Sequence, residues 1–427
     1  MIIGVLLGVF FILLVIGVPV AISIGLASIA AVYFMGDIPL SLIAQRFGNG
    51  VNSFPLLAIP FFILAGSLMN TGGIARRLID FASCLVGFVR GGLAMVNIVA
   101  SKFFGGISGS SVADSVAIGS ALIPAMKKRG YDGSFAAAVT AASSTIGIII
   151  PPSIPIIIYG VMAGESISKL FLAGAIPGIL VGVSLMVVTY IMATKNPEQF
   201  PKEKFPTPKV IWDSFKSASL ALFMPILVLG GIIGGIVTPT EAAVIAVVYS
   251  LIVGGFVYKE IKFSHFKTIL NETVTGTAAV MLLVATASLF GWIVAYEQLP
   301  LMISEWIQGV STNPIIILLI INVVLLITGL FLDLTAALII LTPVMLPIAL
   351  SVGMDPTHFG IMLIVNLAIG LVTPPVGICL FAVTNIAKES IGRISKAVLP
   401  LLAAMIFVLL LVTYVPQVSM FLPNLLR

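Results

Sequence analysis

The sequence predicts an all-α polytopic membrane protein made of two inverted repeats, each with a re-entrant helical hairpin and a broken transmembrane helix. Three observations carry this expectation. The chain of 427 residues is 60% hydrophobic and 9% charged, whereas soluble domains carry about 25% charged residues. Two stretches set Gly, Ser and Asp between long apolar runs: Gly105-Gly106-Ile107-Ser108-Gly109-Ser110-Ser111-Val112-Ala113-Asp114, and Gly329-Leu330-Phe331-Leu332-Asp333-Leu334-Thr335. Irregular backbone survives at membrane depth only where it is buried in protein or lines a cavity, so both read as hairpin tips. The third observation is a repeat.

Pro124 and Pro347 are 223 residues apart, and the same spacing separates Asp132 from Asp355, Gly147 from Gly370, Pro151-Pro152 from Pro374-Pro375, and Pro177 from Pro400. Pro19 and Pro239 match at 220, so the repeat reaches the N-terminal region with a small insertion. Residues 1–195 form the first repeat, 196–218 a cytoplasmic linker, and 219–427 the second.

In chain order, residues 2–35 are apolar but broken at Gly17-Val18-Pro19; alone they fit one kinked helix or two short ones, and the repeat favours two. The N-terminus has no basic region, so it reads as a retained helix rather than a cleaved signal. Residues 53–70 are long enough to span. Residues 74–89 alternate charge and bulk, as a helix lying in the membrane surface does. The first hairpin is 91–126, the first broken helix 134–164, and 168–194 spans again. The polar stretch 195–217 carries Lys195, Lys202, Lys204, Lys209 and Lys216. Spans follow at 219–237, 240–258 and 274–296, and an amphipathic stretch at 297–311. The second hairpin is 313–351, the second broken helix 358–384, and the last span 398–422. Five crossings per repeat, an odd number, put the repeats in opposite orientation.

Charge placement agrees. With Lys127-Lys128-Arg129 in the cytoplasm, the linker, 259–267 and 388–396 fall there too, and 268–387 contains no Lys or Arg. Arg46 and Lys169 are exceptions. The net charge of +5 thus reads as a topology signal, and no nucleic-acid partner is expected. Cys84 and Cys379 are too few and too far apart for a disulfide framework or metal cluster.

A broken helix presents unpaired carbonyls at one half-end and unpaired N–H groups at the other; the first suit Na⁺, the second an anion. A hairpin tip laid against such a break makes a cage of oxygens, which suits a hard cation. The first cage would take Ser108 and Ser110 from the tip and the carbonyls of Gly147, Ile150 and Pro152. By the 223 spacing, Ser110 corresponds to Asp333, Gly147 to Gly370 and Ile150 to Thr373, so the second cage gains a carboxylate. A single Pro-Pro break more often serves packing; two paired breaks, each preceded by a polar tip, reverse that balance. Lys102 and Asp114 flank the first tip, and intramembrane charges are functional candidates by default; a neutralising pair that fixes the hairpin is the preferred reading. Glu241 reads as a cap or surface contact, and His265 and His358 as membrane-edge residues. No HExxH, GxGxxG or P-loop sequence supports enzyme chemistry.

At these residues the chain resembles, over essentially its full length, the large membrane subunit of TRAP (tripartite ATP-independent periplasmic) transporters. The carrying motifs are Gly17-Val18-Pro19, Pro60-Phe61-Phe62-Ile63-Leu64-Ala65-Gly66, the first tip through Asp114, Ile150-Pro151-Pro152-Ser153 and Thr373-Pro374-Pro375-Val376-Gly377. The resemblance implies an elevator-type, ion-transporter-like importer of the bacterial inner membrane, driven by two or more Na⁺. It implies a small four-helix membrane subunit, expected as a separate chain, and a periplasmic substrate-binding protein. Organic acids such as C4-dicarboxylates and sialic acid are the implied substrates. Family sodium sites carry over to Ser108, Ser110, Gly147, Ile150 and Pro152, and to Gly329, Asp333, Gly370 and Thr373. Substrate is expected between the tips, near Ser110, Asp114 and Ser153. The hairpins and broken helices are expected to move as a block against the spans at 53–70 and 274–296. The rivals are a stand-alone Na⁺–carboxylate symporter, which needs no binding protein, and a channel, whose flux ignores a Na⁺ gradient.

Overall fold

The computed structural model describes residues 1–202 and 205–426, apart from the side chains of residues 106–108 and 308. Every regular element among the described residues is helical. Helices α1 (Ile2–Val15) and α2 (Val20–Met35) pack on each other. Gly17, at φ +88°, makes the turn between them, a conformation glycine adopts without steric penalty. The two-helix alternative therefore holds. Next come α3 (Ser41–Val51), α4 (Ala58–Thr71) and the amphipathic α5 (Ile74–Val86).

Helices α6 (Gly92–Ser108) and α7 (Ser111–Lys128) form the first hairpin. The first broken helix is α8 (Gly133–Ser144), the single turn α9 (Ile146–Ile149) and α10 (Ile154–Ala163), bent by 42° across the break. Long α11 (Ile167–Lys195) follows. The second half runs through α12 (Pro208–Ile233), α13 (Pro239–Leu251), α14 (Phe266–Tyr296) and α15 (Leu299–Val310). Its hairpin is α16 (Pro314–Phe331) with α17 (Leu334–Ser351), and its broken helix α18 (Pro356–Gly370) with α19 (Ile378–Ala387). Helices α20 (Ile391–Tyr414) and α21 (Gln417–Leu425) close the chain. By length and composition eight helices among the described residues can cross a membrane, nine counting the bent pair.

The expected linker of 196–218 is helical from Pro208 onwards, because Pro at the first helical position is preorganised for a helix and donates no N–H there. The charged residues 209–216 extend the apolar helix beyond its apolar part. Lys204 lies outside the described residues.

The core is built from the broken helices. Every residue of α8 and residues 357–370 of α18 are buried. Helix α8 packs on α6, α7, α19 and α20, and α18 packs on α10, α11, α16, α17 and α20. The halves interlock: α10 rests on α17, and α19 rests on α7. Large apolar side chains such as Phe11, Ile12, Ile226 and Phe407 are more than half exposed, forming faces that suit lipid rather than water.

Equivalent residues do equivalent work. Asp132 caps α8 by accepting from Phe135 N (2.9 Å), and Asp355 caps α18 by accepting from Thr357 N (2.8 Å). Ser110 caps α7 by accepting from Ala113 N, and Asp333 caps α17 by accepting from Thr335 N (3.0 Å). Glu241 is a cap as expected: its carboxylate accepts from Thr238 N (2.7 Å), while Glu241 N donates to Thr238 Oγ1 (3.3 Å). His358, in the first turn of α18, is buried, with Nε2 2.6 Å from the Val412 carbonyl oxygen.

Candidate functional site

Both breaks are points of backbone-to-backbone contact with the preceding hairpin limb. A Cβ built on Gly105 would lie 2.0 Å from Gly147 Cα, and one built on Gly370 would lie 2.7 Å from Gly329. Only glycine permits either approach. Buried polar networks hold these limbs in place. In the first half Asn97 Nδ2 donates to Thr140 Oγ1 (2.6 Å) and Ser143 Oγ to Asn97 Oδ1 (3.0 Å). In the second, Asn366 Nδ2 donates to Asn322 Oδ1 (2.8 Å). Ser143 and Asn366, again 223 residues apart, serve the same joint.

At each break the chain leaves the helix through a cis Pro-Pro peptide, Pro151–Pro152 and Pro374–Pro375. Proline supplies no N–H, so it interrupts the helical ladder and releases carbonyls. Ser153 spans the first gap: its Oγ donates to the Ile148 carbonyl (2.6 Å). At the second break Thr373 Oγ1 donates to the Ile369 carbonyl (2.7 Å). A hydroxyl that has given away its proton keeps lone pairs for a cation. The oxygens gathered here, hydroxyl, carbonyl and the Asp333 carboxylate, are of the kind a hard cation takes.

A cavity of about 460 Å³ lies between the two tips and the helices α4 and α14. One wall is made by residues 109–113, by Ile148, Ile154 and Pro155 at the first break, and by Asp333, Leu334 and Thr335. The opposite wall carries Gly66, Ser67 and Asn70 of α4 and Glu272, Gly276 and Ala279 of α14. Ser67 Oγ donates to Glu272 Oε2 at 2.6 Å. The lining contains two carboxylates, Asp333 and Glu272, and among the described residues no Lys, Arg or His.

Of the sequence candidates, Ser110 and Asp333 meet in this cavity. Gly147, Ile150, Pro152, Gly329, Gly370 and Thr373 lie behind it at the breaks and in the limb packed on them. Asp114 and Ser153 are both buried, and neither is among the residues that line the cavity. Asp114 Oδ2 would sit 2.7 Å from a Cβ on Gly147 and 3.2 Å from one on Gly105, so its carboxylate is packed against the glycine contact. Ser153 turns towards Ile148 because the break leaves that carbonyl within reach. The Lys102–Asp114 pair is corrected: Lys102 makes no ion pair among the described residues. The Ser108 side chain lies outside the described residues. Sequence reasoning missed Ser67, Asn70 and Glu272.

Comparison with known proteins places this architecture. The model of the family described as "Tripartite ATP-independent periplasmic transporter, DctM component" matches residues 7–418. The chain is 46% identical over 420 residues to the isethionate TRAP transporter permease protein DctMQ of Oleidesulfovibrio alaskensis, covering 98% of this chain and 66% of that protein. It is 42% identical over 414 residues to the sialic acid TRAP transporter large permease protein SiaM of Vibrio cholerae, covering 96% and 95%. The crystal structure of the Alcanivorax borkumensis YdaH transporter shares the fold at a TM-score of 0.63 and 14% identity, covering 87% and 86% of the two chains. The relatives named are transporter permeases, not enzymes. This chain is a multi-pass inner-membrane protein and belongs to the DctM family, the large membrane subunits of TRAP transporters.

Proposed function

We propose that the chain is the permease of a Na⁺-driven importer that carries an organic acid across the inner membrane by an elevator movement. The observation that carries this reading is the charge of the cavity: two carboxylates and no basic side chain among its described lining residues. An organic anion entering such a site adds charge of the same sign in a partly dry space, so entry requires accompanying cations. Na⁺ ions at the breaks supply them. One site takes Ser108, Ser110 and the carbonyls of Gly147, Ile150 and Pro152; the other takes Gly329, Asp333, Gly370 and Thr373. The anion lies between the tips beside Ser110, within reach of the start of α7, where helix polarity favours negative charge.

The substrate belongs to the acid class carried by the relatives, of which isethionate and sialic acid are examples. A periplasmic binding protein delivers it, and a small membrane subunit braces the helices that stay still. The two repeats sit inverted, and the hairpins with their broken helices move as one block past α4 and α14. The interlock of α10 with α17 and of α19 with α7 supports a rigid block.

The test is uptake into proteoliposomes holding both membrane subunits, with the binding protein added outside and a panel of organic acids offered. Uptake is expected with an inward Na⁺ gradient and to vanish when K⁺ replaces Na⁺ or the binding protein is withheld. Undiminished uptake in K⁺ would remove sodium coupling; undiminished uptake without the binding protein would favour a stand-alone symporter.

A further inference from the structure

The wall of the cavity opposite the tips has a chemistry of its own. Glu272, Gly276 and Ala279 form one face of α14, and Gly66, Ser67 and Asn70 one face of α4. The small residues leave the polar ones open to the cavity. Ser67 Oγ holds Glu272 Oε2 at 2.6 Å, while Glu272 Oε1 accepts no hydrogen bond among the described residues. That oxygen is free to accept from a ligand. Glu272 is exposed to the cavity, and no cation among the described lining residues offsets it. The other carboxylate, Asp333, is engaged by Thr335 N on the tip side.

We propose that Glu272, oriented by Ser67, is a specificity-determining residue: it admits organic monoanions whose far end donates hydrogen bonds and excludes acids with a second carboxylate there. The inference rests on the assignment of this cavity to organic-acid transport. A carboxylate accepts from hydroxyl and ammonium groups and repels another carboxylate. With the acid group of the substrate at the tips, its other end faces Glu272, Ser67 and Asn70. A hydroxylated or amino monoacid satisfies all three. A dicarboxylate brings a second negative charge against Glu272 with no basic group to compensate it.

The experiment measures ligand-induced thermal stabilisation of the purified complex of both membrane subunits in Na⁺, without the binding protein, so that only the permease selects. The probes are D-gluconate, a hydroxylated monoacid, and succinate, a dicarboxylate. In the wild type, succinate should need at least about ten times the half-saturating concentration of gluconate. Glu272→Gln removes the charge at nearly constant shape and should bring the two probes to within a few-fold. Glu272→Asp keeps the charge and should keep the preference, which guards against misfolding of the Gln variant; Ser67→Ala frees the carboxylate from its partner and should weaken the preference without abolishing it. Equal stabilisation of the wild type by both probes, or an unchanged ratio in Glu272→Gln, would overturn the inference while leaving organic-acid binding intact. An unchanged ratio in Ser67→Ala would remove Ser67 from the orienting role. If neither acid stabilises the wild type at any Na⁺ concentration, the cavity assignment itself falls, and this inference with it.

Discussion

Arg393, in the first turn of α20, lies 3.7 Å from Asp132, the residue that caps α8. The other half shows the same relation: Lys169, in the first turn of α11, lies 3.6 Å from Asp355, the cap of α18. Each cation also reaches the glutamate four residues before it, Glu389 at 2.9 Å and Glu165 at 3.9 Å. In both, the cation comes from one half of the chain and the capping aspartate from the other. The pairs therefore tie the start of each broken helix to the helix that follows the other break.

Their exposure predicts unequal effects. The Arg393 side chain is 63% exposed and that of Lys169 is 21% exposed. Exposed ion pairs contribute about 0–1 kcal/mol, and a pair with less solvent around it is screened less and contributes more. Lys169→Ala is expected to destabilise the complex by about 1–2 kcal/mol and Arg393→Ala by less than about 1 kcal/mol. Thermal unfolding of both variants in the assembled membrane complex checks this; a larger loss from Arg393→Ala would contradict it.

The glycine contacts predict the sharpest steric effect. Gly147→Ala places a methyl group against Gly105 Cα and Asp114 Oδ2, and Gly370→Ala places one against the backbone of Gly329. Backbone cannot yield as a flexible side chain does, so each should cost at least about 1–3 kcal/mol and separate hairpin from break. Uptake should be lost in both. Gly4→Ala, where nothing lies within 4 Å of the new methyl group, is the control and should transport normally.

Much of this was legible in one dimension because prolines, glycines and caps mark backbone events directly. The 223-residue spacing set Ser110 against Asp333 and Asp132 against Asp355, and all four prove to be helix caps in equivalent places. The wall of α4 and α14 was not legible. Ser67 sits inside a plain apolar span, and Glu272 ends a basic interfacial stretch, where a lone acid reads as a surface charge. Their meeting depends on how two distant helices pack, which neither segment records. Asp114 failed for a related reason: distance from the tip suggested Lys102, but the rotation of α7 turns the carboxylate towards Gly105 and Gly147.

The proposed inversion of the repeats predicts opposite sidedness at the ends of the two hairpins. Lys128 ends α7 and Ser351 ends α17, and both are exposed. Single cysteines at these positions, in a background lacking Cys84, should label with a membrane-impermeant reagent from opposite faces: Lys128→Cys from the cytoplasm, Ser351→Cys from the periplasm. Labelling of both from one face would overturn the inverted arrangement while leaving the helical fold untouched.

The last prediction separates two roles of Asp333. Its carboxylate caps α17 by accepting from Thr335 N at 3.0 Å, and it also lines the cavity. Asparagine caps a helix about as well as aspartate, so Asp333→Asn preserves the first role and removes only the charge. If Asp333 serves only as a cap, the variant should unfold within about 0.5 kcal/mol of the wild type and show the same sodium dependence. As a member of the second cation site, it should fold equally well yet need at least about ten times more Na⁺ for half-maximal uptake, since a loss of about 1.4 kcal/mol in ion binding corresponds to that factor. Asp333→Ala completes the comparison by losing cap and charge together, with about 1 kcal/mol of stability lost as well. Ser110→Ala removes a neutral oxygen at the equivalent place, so its effect on Na⁺ affinity should be smaller than that of Asp333→Asn. Uptake measured against Na⁺ concentration, alongside thermal unfolding of each variant, decides the matter. An Asp333→Asn protein that folds, transports and keeps its half-saturating Na⁺ concentration would leave Asp333 as a cap alone.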